Sequence, residues 1–373
     1  MKRISIFLLS LWTMTLMTST HANEVPDPLM AEELVDMVLR HCRDGEALQA
    51  QKLAQDIREQ FATTPAIDTL LAPAVEGRCD ASAVRASVRE LHFSVGWDDN
   101  VNLGLLANSV TFQMAQQPVS YQLDDSYKPV HSAFVSASGL YQTTVASDWT
   151  LQAIAGVRQL QDYSPLNTLG FQVNALHSTS LLGVAGITTI GWAQTWLGGH
   201  HYRSAPSVAW NSLAGAGRHG WSWAVSAQQH DYSGSPLDAR LMQVSTSYRY
   251  RPQAQTQITM VAGLMHDQAL GQRAGGNRQG TSMQMSWQEA WQGGAWNAQW
   301  ALHQWVSTEA FLPGLMDYQR SNRTGTVSLG YQRPVRSGGI AYAEFQLRDS
   351  RDNVPLYVYR SNQLMLGWML RWP

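Results

Sequence analysis

The chain has 373 residues and a formal net charge of −2, and this balance does not indicate a nucleic-acid-binding protein. Only 14% of its residues are charged, against about 25% in an average soluble domain. Tryptophan is unusually frequent at 15 residues, yet no segment after the N-terminal apolar run is typical of a membrane helix.

The N-terminus has the features of a secretory signal peptide. Lys2 and Arg3 precede a long apolar run, and Thr20 and Ala22 supply the small residues of a cleavage site. We therefore predict cleavage after Ala22 and export from the cytoplasm. The predicted division of the chain is a signal peptide at 1–22, a helical domain at 23–86 and a larger domain at 87–373. An uncleaved anchor helix is the alternative, and the small residues at the end of the run argue against it.

Helical periodicity runs from residue 28 to about residue 86. "PLMAEELVDMVLRHC" has Pro28 near its start and acidic residues in its first turn, which is typical of a helix N-terminus. "EALQAQKLAQDIREQF" predicts a second helix, and "TPAIDTLLAPAVEGRC" predicts a short third one that ends at Gly77. The predicted apolar face consists of Leu34, Met37 and Val38, followed by Leu48, Leu53, Ile57 and Phe61. A helical hairpin of this kind resembles one tetratricopeptide-type unit.

The chain contains two cysteines, Cys42 and Cys79, and both lie in this helical region. In an oxidising compartment the simplest interpretation is a disulfide between them. A lone helical hairpin buries little surface, so a covalent link would compensate. A metal site would need more ligands than the neighbouring His41 supplies, and we predict neither a metal nor a cofactor.

From about residue 88 the periodicity changes to two. "RELHFSVGW" alternates large apolar residues with His92, Ser94 and Gly96. There are about fourteen such segments in all, each close to the 9–11 residues that a tilted strand needs to cross a bilayer. They lie near 88–98, 131–143, 148–159, 169–178, 183–196, 202–214, 221–231, 240–250, 256–266, 280–291, 295–306, 323–333, 339–349 and 361–372.

The connections between these segments alternate between short and long. Short ones contain "ASD", "RPQAQ" or "WQGGA", and long polar ones contain "DYSPLNT" or "STEAFLPGLMDYQR". This alternation is typical of outer-membrane barrels, which have short periplasmic turns, long outside loops and an even number of strands. We therefore predict an all-β transmembrane barrel of about fourteen antiparallel strands in the cell outer membrane, with a small α-helical domain in the periplasm. A large β-sandwich or propeller would also hide the apolar rows, but no repeated blade motif is found.

The last segment, "SNQLMLGWMLRWP", is predicted to close the barrel against the first. One row of its side chains is large and apolar, and lipid would cover that row in a closed barrel. The row consists of Leu364, Leu366, Trp368, Leu370 and Trp372. An apolar, aromatic-ended final strand also resembles the signal that the barrel-assembly machinery reads, and we expect that machinery and outer-membrane lipid to be partners.

The stretch "FSVGWDDNVNLG" carries a resemblance to a known family. It contains Gly96, Trp97, Asp98, Asp99, Asn100, Val101 and Asn102. These residues are similar to the glycine-aromatic-Asp-x-Asn-Val-Asn signature that opens the barrel of the surface lipoprotein assembly modifier (Slam) family, with Trp in place of the usual Tyr. The resemblance implies a tetratricopeptide region before a fourteen-strand barrel. It also implies translocation or display of a protein, in particular a lipoprotein substrate, at the cell surface.

Other interpretations of the same features stay open. The Asp and Asn side chains of this stretch could instead cap the backbone where the first strand runs into a loop. Gln, Ser, Asn and Thr on the polar register suit neutral polar cargo, as in a polysaccharide exporter or a solute porin, although most Trp residues fall on the apolar register. No nucleophile-elbow pattern occurs, and nothing in the sequence pairs His131, His230 or His266 with a nucleophile, so we predict that the protein is not an enzyme.

Overall fold

A computed structural model describes residues 35, 37–39, 41–42, 46–60, 71–72, 74–77, 87–114, 117–146, 148–213, 218–253, 255–314, 316–335 and 338–372. The predicted signal peptide, Leu34, Phe61 and Cys79 lie outside these residues. In the ranges just given, no helix is both long and apolar enough to cross a membrane.

Helix α1, Ala47–Gln60, confirms the second of the predicted helices. Helical residues also occur between 35 and 42 and between 71 and 75. Side chains from all three segments form one apolar cluster, which contains Val35, Val38, Cys42, Ala50, Ala54, Ile57, Leu71 and Ala74. The likeness to a tetratricopeptide unit stays a prediction.

The buried face of α1 differs in part from the predicted one. Leu53 and Ile57 belong to the cluster, but Leu48 is 83% exposed and Met37 is 42% exposed, so their assignment to the apolar face was wrong. Positions 50, 54 and 57 share one face of a helix, and the small Ala50 and Ala54 at two of them allow close approach. A pattern search that weights large side chains overlooks such a face.

Fourteen strands form a closed antiparallel barrel in which the last strand pairs with the first. In chain order they are β1 Ser87–Asp98, β4 Ser132–Ala146, β5 Trp149–Leu160, β6 Thr168–Leu181, β7 Val184–Leu197, β8 His200–Ser212, β9 His219–Tyr232, β10 Ala239–Gln253, β11 Thr256–Ala269, β12 Arg278–Trp291, β13 Gly294–Leu312, β14 Met316–Pro334, β15 Gly339–Asp352 and β16 Tyr359–Trp372. Two further strands, β2 Ser109–Met114 and β3 Gln117–Gln122, pair only with each other. Each of the fourteen predicted segments matches one barrel strand.

The outer face of the barrel is apolar and exposed, which confirms the transmembrane barrel. Four residues chosen from the alternation, Trp223, Trp300, Leu329 and Leu366, are 37%, 39%, 47% and 54% exposed. In the final strand Leu366 pairs with Val95 of β1, and every second residue of β16 shares this outward register. The predicted closing row therefore faces outward along its whole length. Such large exposed apolar rows require lipid around them.

The two ends of the barrel carry different connections. One end, here called the turn end, has the connections 147–148, 182–183, 213–218, 254–255, 292–293 and 335–338. The other, here called the loop end, has 99–131, 161–167, 198–199, 233–238, 270–277, 313–315 and 353–358. The alternation predicted from the sequence is thus present, but it is uneven. The first loop, residues 99–131, is far longer than any other.

The prediction that "STEAFLPGLMDYQR" forms a long loop is wrong. Strand β13 continues to Leu312 and β14 begins at Met316, so only three residues connect them, including Gly314 at a φ of 84°. These two strands have 19 residues each, whereas their neighbours β12 and β15 have 14. The hairpin therefore extends past the rim of the barrel at the loop end.

The first loop packs on this extended hairpin. Its strands β2 and β3, which the sequence pattern does not predict, form a two-stranded hairpin. Leu105 and Val110 from the loop are buried in a cluster with Phe311, Met316 and Val354. This contact explains why β13 and β14 extend beyond the membrane-spanning length. The first loop covers the apolar side chains at their ends.

Candidate functional site: lumen, seam and first loop

The inner face of the barrel is lined by short polar side chains. Across β4, β5 and β6 the amides form a chain of hydrogen bonds: the Gln152 Nε2 donates to the Gln142 Oε1 at 3.3 Å, and the Asn174 Nδ2 donates to the Gln152 Oε1 at 2.7 Å. Elsewhere the Ser222 and Ser247 hydroxyls lie 2.6 Å apart. Among the strand tryptophans, Trp305 alone has the inward register, opposite Gly280 and Asn322. The wall is thus largely hydrophilic, and tyrosines such as Tyr232, Tyr342 and Tyr359, more than tryptophans, supply its aromatic rings.

Charged residues also face inward, and arginines outnumber carboxylates. The register places the following inward-facing charges within the closed part of the barrel: Arg158, Arg203, Arg249, Arg278, Arg348 and Arg371 against Glu90, Asp98, Asp267, Glu344 and Asp352. The Arg251 guanidinium adds a seventh arginine, because it donates to the inward-facing Gln257. A pathway along this wall therefore carries a positive balance, which favours anions over cations.

Basic residues concentrate on one side of the loop end, in a group here called the mouth cluster: Arg203, His230, Asp267, Arg273 and Arg278. The Asp267 carboxylate pairs with the guanidinium groups of Arg273, at 2.9 Å, and Arg278. The Arg203 Nη1 lies 3.4 Å from the His230 Nδ1, and both side chains are buried. Burial, together with the charge of Arg278, lowers the pKa of the Arg273 guanidinium in loop 270–277, although Asp267 opposes this shift.

Asp98, in the signature at the end of β1, connects three strands. Its side chain is 5% exposed. The Ser361 hydroxyl of β16 donates to its Oδ1 at 3.0 Å, and the Arg158 guanidinium of β5 donates to its Oδ2 at 3.0 Å. The backbone N–H of Asn100 also donates to Oδ1 at 3.0 Å, which is an Asx turn of the kind considered from the sequence.

Asp99 binds the last strand directly. Its Oδ1 accepts from the backbone N–H of Asn362 at 2.7 Å, and its Oδ2 accepts from the Asn362 side-chain amide at 2.6 Å. With Asp98 and Ser361, these bonds tie the loop end of β1 to the loop end of β16. We call the group of Asp98, Asp99, Asn100, Ser361 and Asn362 the seam clasp.

Asn100 and Asn102 fix the two ends of the first loop. The Asn100 amide is buried and donates to the carbonyls of Gly104, at 2.9 Å, and Arg360, at 2.8 Å. The Asn102 amide donates to the Lys128 carbonyl at 2.8 Å, and its Oδ1 accepts from the Val130 N–H at 2.8 Å. The start and the end of a loop of more than thirty residues are therefore held together beside the seam.

The remaining residues of the signature also have local structural roles. A Cβ added at Gly96 would lie 2.4 Å from the Phe134 ring, so only glycine fits there. Val101 is buried against Phe134. Trp97 faces outward and stacks on His131 at a centroid distance of 5.4 Å. The structure thus brings the whole signature together at the seam.

Other candidates from the sequence are placed as follows. Cys42 is buried in the helical cluster, and because Cys79 lies outside the described residues, their disulfide stays a prediction. His266 has the outward register on β11, next to Gln279 of β12. Within the part of the chain that the structure covers, no group of three His, Cys, Asp or Glu side chains could hold a metal ion.

Comparisons with known proteins found structural likenesses only. No family model matches the chain, and no curated protein matches it. Among solved structures it is similar to OpdK of Pseudomonas aeruginosa with vanillate, at 10% identity and a TM-score of 0.41 over 77% of this chain and 99% of that one. It is also similar to an anion-selective porin from Comamonas acidovorans, at 8% identity and a TM-score of 0.40 over 77% of this chain and 99% of that one. These likenesses assign no family to the chain.

Proposed function

We propose that the protein is an outer-membrane porin that passes polar solutes along its lumen. The observation that carries this proposal is the contrast between the two faces of the closed barrel. Its outer face presents exposed apolar rows that need lipid, and its inner face presents hydroxyl, amide and guanidinium groups. The hydrogen-bonding groups of such a wall stabilise hydrated polar molecules in transit.

The route follows the lumen and not the seam. At the loop end the seam clasp joins β1 to β16, and at the turn end the Arg371 guanidinium lies 3.3 Å from the Glu90 carboxylate across the same seam. Side-chain bonds at both ends add to ten backbone register pairs between the two strands. Separating the strands would break all of these interactions together, so a closed wall is the stable state.

The test is conductance of the full mature chain in planar lipid bilayers. We expect stepwise insertion of conducting units. In a salt gradient, we also expect a reversal potential with the sign of an anion preference, because arginines outnumber carboxylates on the wall. Folded protein that inserts without any conductance steps would contradict the porin proposal. Conductance with a cation preference would support the porin proposal but contradict the anion preference that we infer from the wall charges.

A second candidate function is translocation of a surface lipoprotein, as the resemblance to the Slam family implies. Two observations favour it: the complete seven-residue signature at the seam and the helical segments that precede β1. In this case the helical domain would bind the substrate in the periplasm. Protease shaving of intact cells with and without the protein tests it. An identical set of shaved lipoproteins in both strains would exclude this role.

A further inference from the structure

Three arginines stand outside the barrel at the loop end of neighbouring strands. Arg323 on β14, Arg351 on β15 and Arg360 on β16 are exposed. On β14 and β15 they share the outward register of Val327 and Leu347, and on β16 that of Leu364. We call these three residues the arginine band.

The arginine band lies directly beyond the end of the apolar face. Val327, Leu347 and Leu364 are the last large apolar residues that face outward on the three strands toward the loop end. Each arginine is four residues from its apolar neighbour on the side of the loop end, or roughly 13 Å along a strand. A side chain at this position reaches the level of the lipid headgroups when the apolar rows lie in the hydrocarbon.

The charges of the band are unbalanced. Arg323 and Arg351 are directly opposite each other, an arrangement that is unfavourable for like charges on a sheet. Asp349 is the acidic neighbour: it accepts from the Arg351 Nε at 3.1 Å and lies directly opposite Arg360. One carboxylate thus stands among the three guanidinium groups, and the Asp99 carboxylate, bound to Asn362 two residues from Arg360, lies next to the band. The three guanidinium groups still outnumber these carboxylates, and a bound anion would neutralise the excess positive charge.

The band also leaves room for a ligand. Gly325 sits in the middle of β14, two residues from Arg323 and directly opposite Asp349. A Cβ at Gly325 would have no heavy atom within 4 Å, so the space above this glycine is open. Glycine inside a strand weakens the strand and often marks a place where a ligand approaches the backbone closely. The open space lies between the guanidinium groups and the apolar row below.

We propose that the arginine band binds the phosphate groups of an anionic glycolipid of the outer leaflet. The guanidinium groups form bidentate hydrogen bonds with phosphate oxygens, a geometry for which arginine is better suited than lysine. The acyl chains lie along Val327, Leu347 and Leu364, and the sugar-phosphate headgroup lies over Gly325. The binding site is independent of the cargo that the lumen passes, and it places the loop end of the barrel at the cell surface.

The experiment uses the full mature chain in a non-ionic detergent, with diphosphorylated lipid A as the probe and native mass spectrometry as the readout. We expect lipid A to stay bound to the parent protein. We expect at least a tenfold weaker affinity after Arg323→Gln, Arg351→Gln and Arg360→Gln are combined. The matched control is Arg333→Gln, because Arg333 is exposed at the turn end of the same strand, in the same outward register. This variant should bind lipid A like the parent.

A second variant separates loss of binding from loss of folding. Gly325→Val keeps every charge and adds a residue with high strand propensity, so the barrel should fold while the added side chain fills the open space. We expect weaker lipid A binding in this variant too. Unchanged lipid A binding by both the triple variant and Gly325→Val would overturn the proposal. Equal affinity for phosphatidylglycerol through the same arginines would overturn the assignment to a glycolipid.

Discussion

The Asp98 carboxylate combines a buried charge pair with a contact across the seam. Asp98 and Arg158 have side chains that are only 5% and 9% exposed, and the Ser361 hydroxyl donates to the same carboxylate. Buried charges are tolerated when they are paired and hydrogen-bonded. Removal of one partner leaves the other charge buried without a counter-charge, which strongly destabilises the fold. The sensitivity of this site to substitution therefore exceeds that of an ordinary strand end.

Asp98→Asn should destabilise the folded barrel by about 3–5 kcal/mol, because the buried Arg158 loses its counter-charge. The measurement is the midpoint of urea unfolding, and the fraction folded at each urea concentration is read from the folded band on unboiled gels. The matched control is Asp99→Asn, in which the amide oxygen can still accept one bond from Asn362, so the loss should be about 1 kcal/mol. Equal midpoints for the two variants would mean that the Asp98–Arg158 pair contributes nothing special.

The sequence indicates the signature residues of the clasp but not their partners. The cluster of Asp and Asn after an apolar strand is visible in "GWDDNVN", and an Asx turn follows from these residue types. The partner Arg158 is 60 residues away and Ser361 is 263 residues away. Only the closure of the sheet brings them together, and no local pattern distinguishes Arg158 from any other inward-facing arginine.

At the scale of the elements, the strands were predictable because lipid enforces strict alternation. Every second residue must be apolar over the membrane-spanning length, and this leaves a signal even without related sequences. Two features escaped prediction. The extension of β13 and β14 and the β2–β3 hairpin lie beyond the membrane, where residues such as Leu105 and Phe311 bury each other instead of following a lipid-imposed pattern.

The register of the strands makes opposite predictions for two arginine substitutions. Leu366 faces outward and is 54% exposed, so Leu366→Arg places a charge in lipid at a cost of about 2–4 kcal/mol near the midplane. Gln284 has the inward register, opposite Val261 and Ala301, and Gln284→Arg should assemble nearly as well as the parent. The folded fraction in isolated outer membranes measures the difference. Similar folded fractions for the two variants would show that the register is wrong.

The packing of the first loop on the β13–β14 hairpin depends on Phe311. Phe311→Ala should detach the loop from its support, at a cost of at most about 3 kcal/mol, since the contact lies at the edge of the fold. Limited chymotrypsin digestion should then cut faster after Tyr127, which packs against the same cluster, while the barrel itself stays resistant. Leu312→Ala is the control, because Leu312 is 37% exposed and lies outside the apolar cluster. The same cleavage rate in both variants would contradict this role for Phe311.

For the whole molecule, the barrel should fold without the helical domain. All barrel strands find their partners within 87–372, and a closed sheet leaves no edge that another segment must cover. A chain that lacks residues 28–86 but keeps the signal peptide should assemble and conduct like the parent. A porin needs nothing more, whereas a lipoprotein translocator should lose surface display of its substrate. A truncated barrel that fails to assemble would show that the helices are part of the fold.

The seam clasp has a further consequence for the order in which the barrel is built. The Asp98–Arg158 pair needs only β1, β4 and β5, whereas the bonds to Ser361 and Asn362 must wait for the final strand of the chain. Contacts of such high sequence separation form late and slowly. Until then the open edges of β1 and β16 are free to pair with other chains. Arg158 therefore holds Asp98 in position before β16 arrives, so the carboxylate that Ser361 must meet is already in place when the last strand pairs.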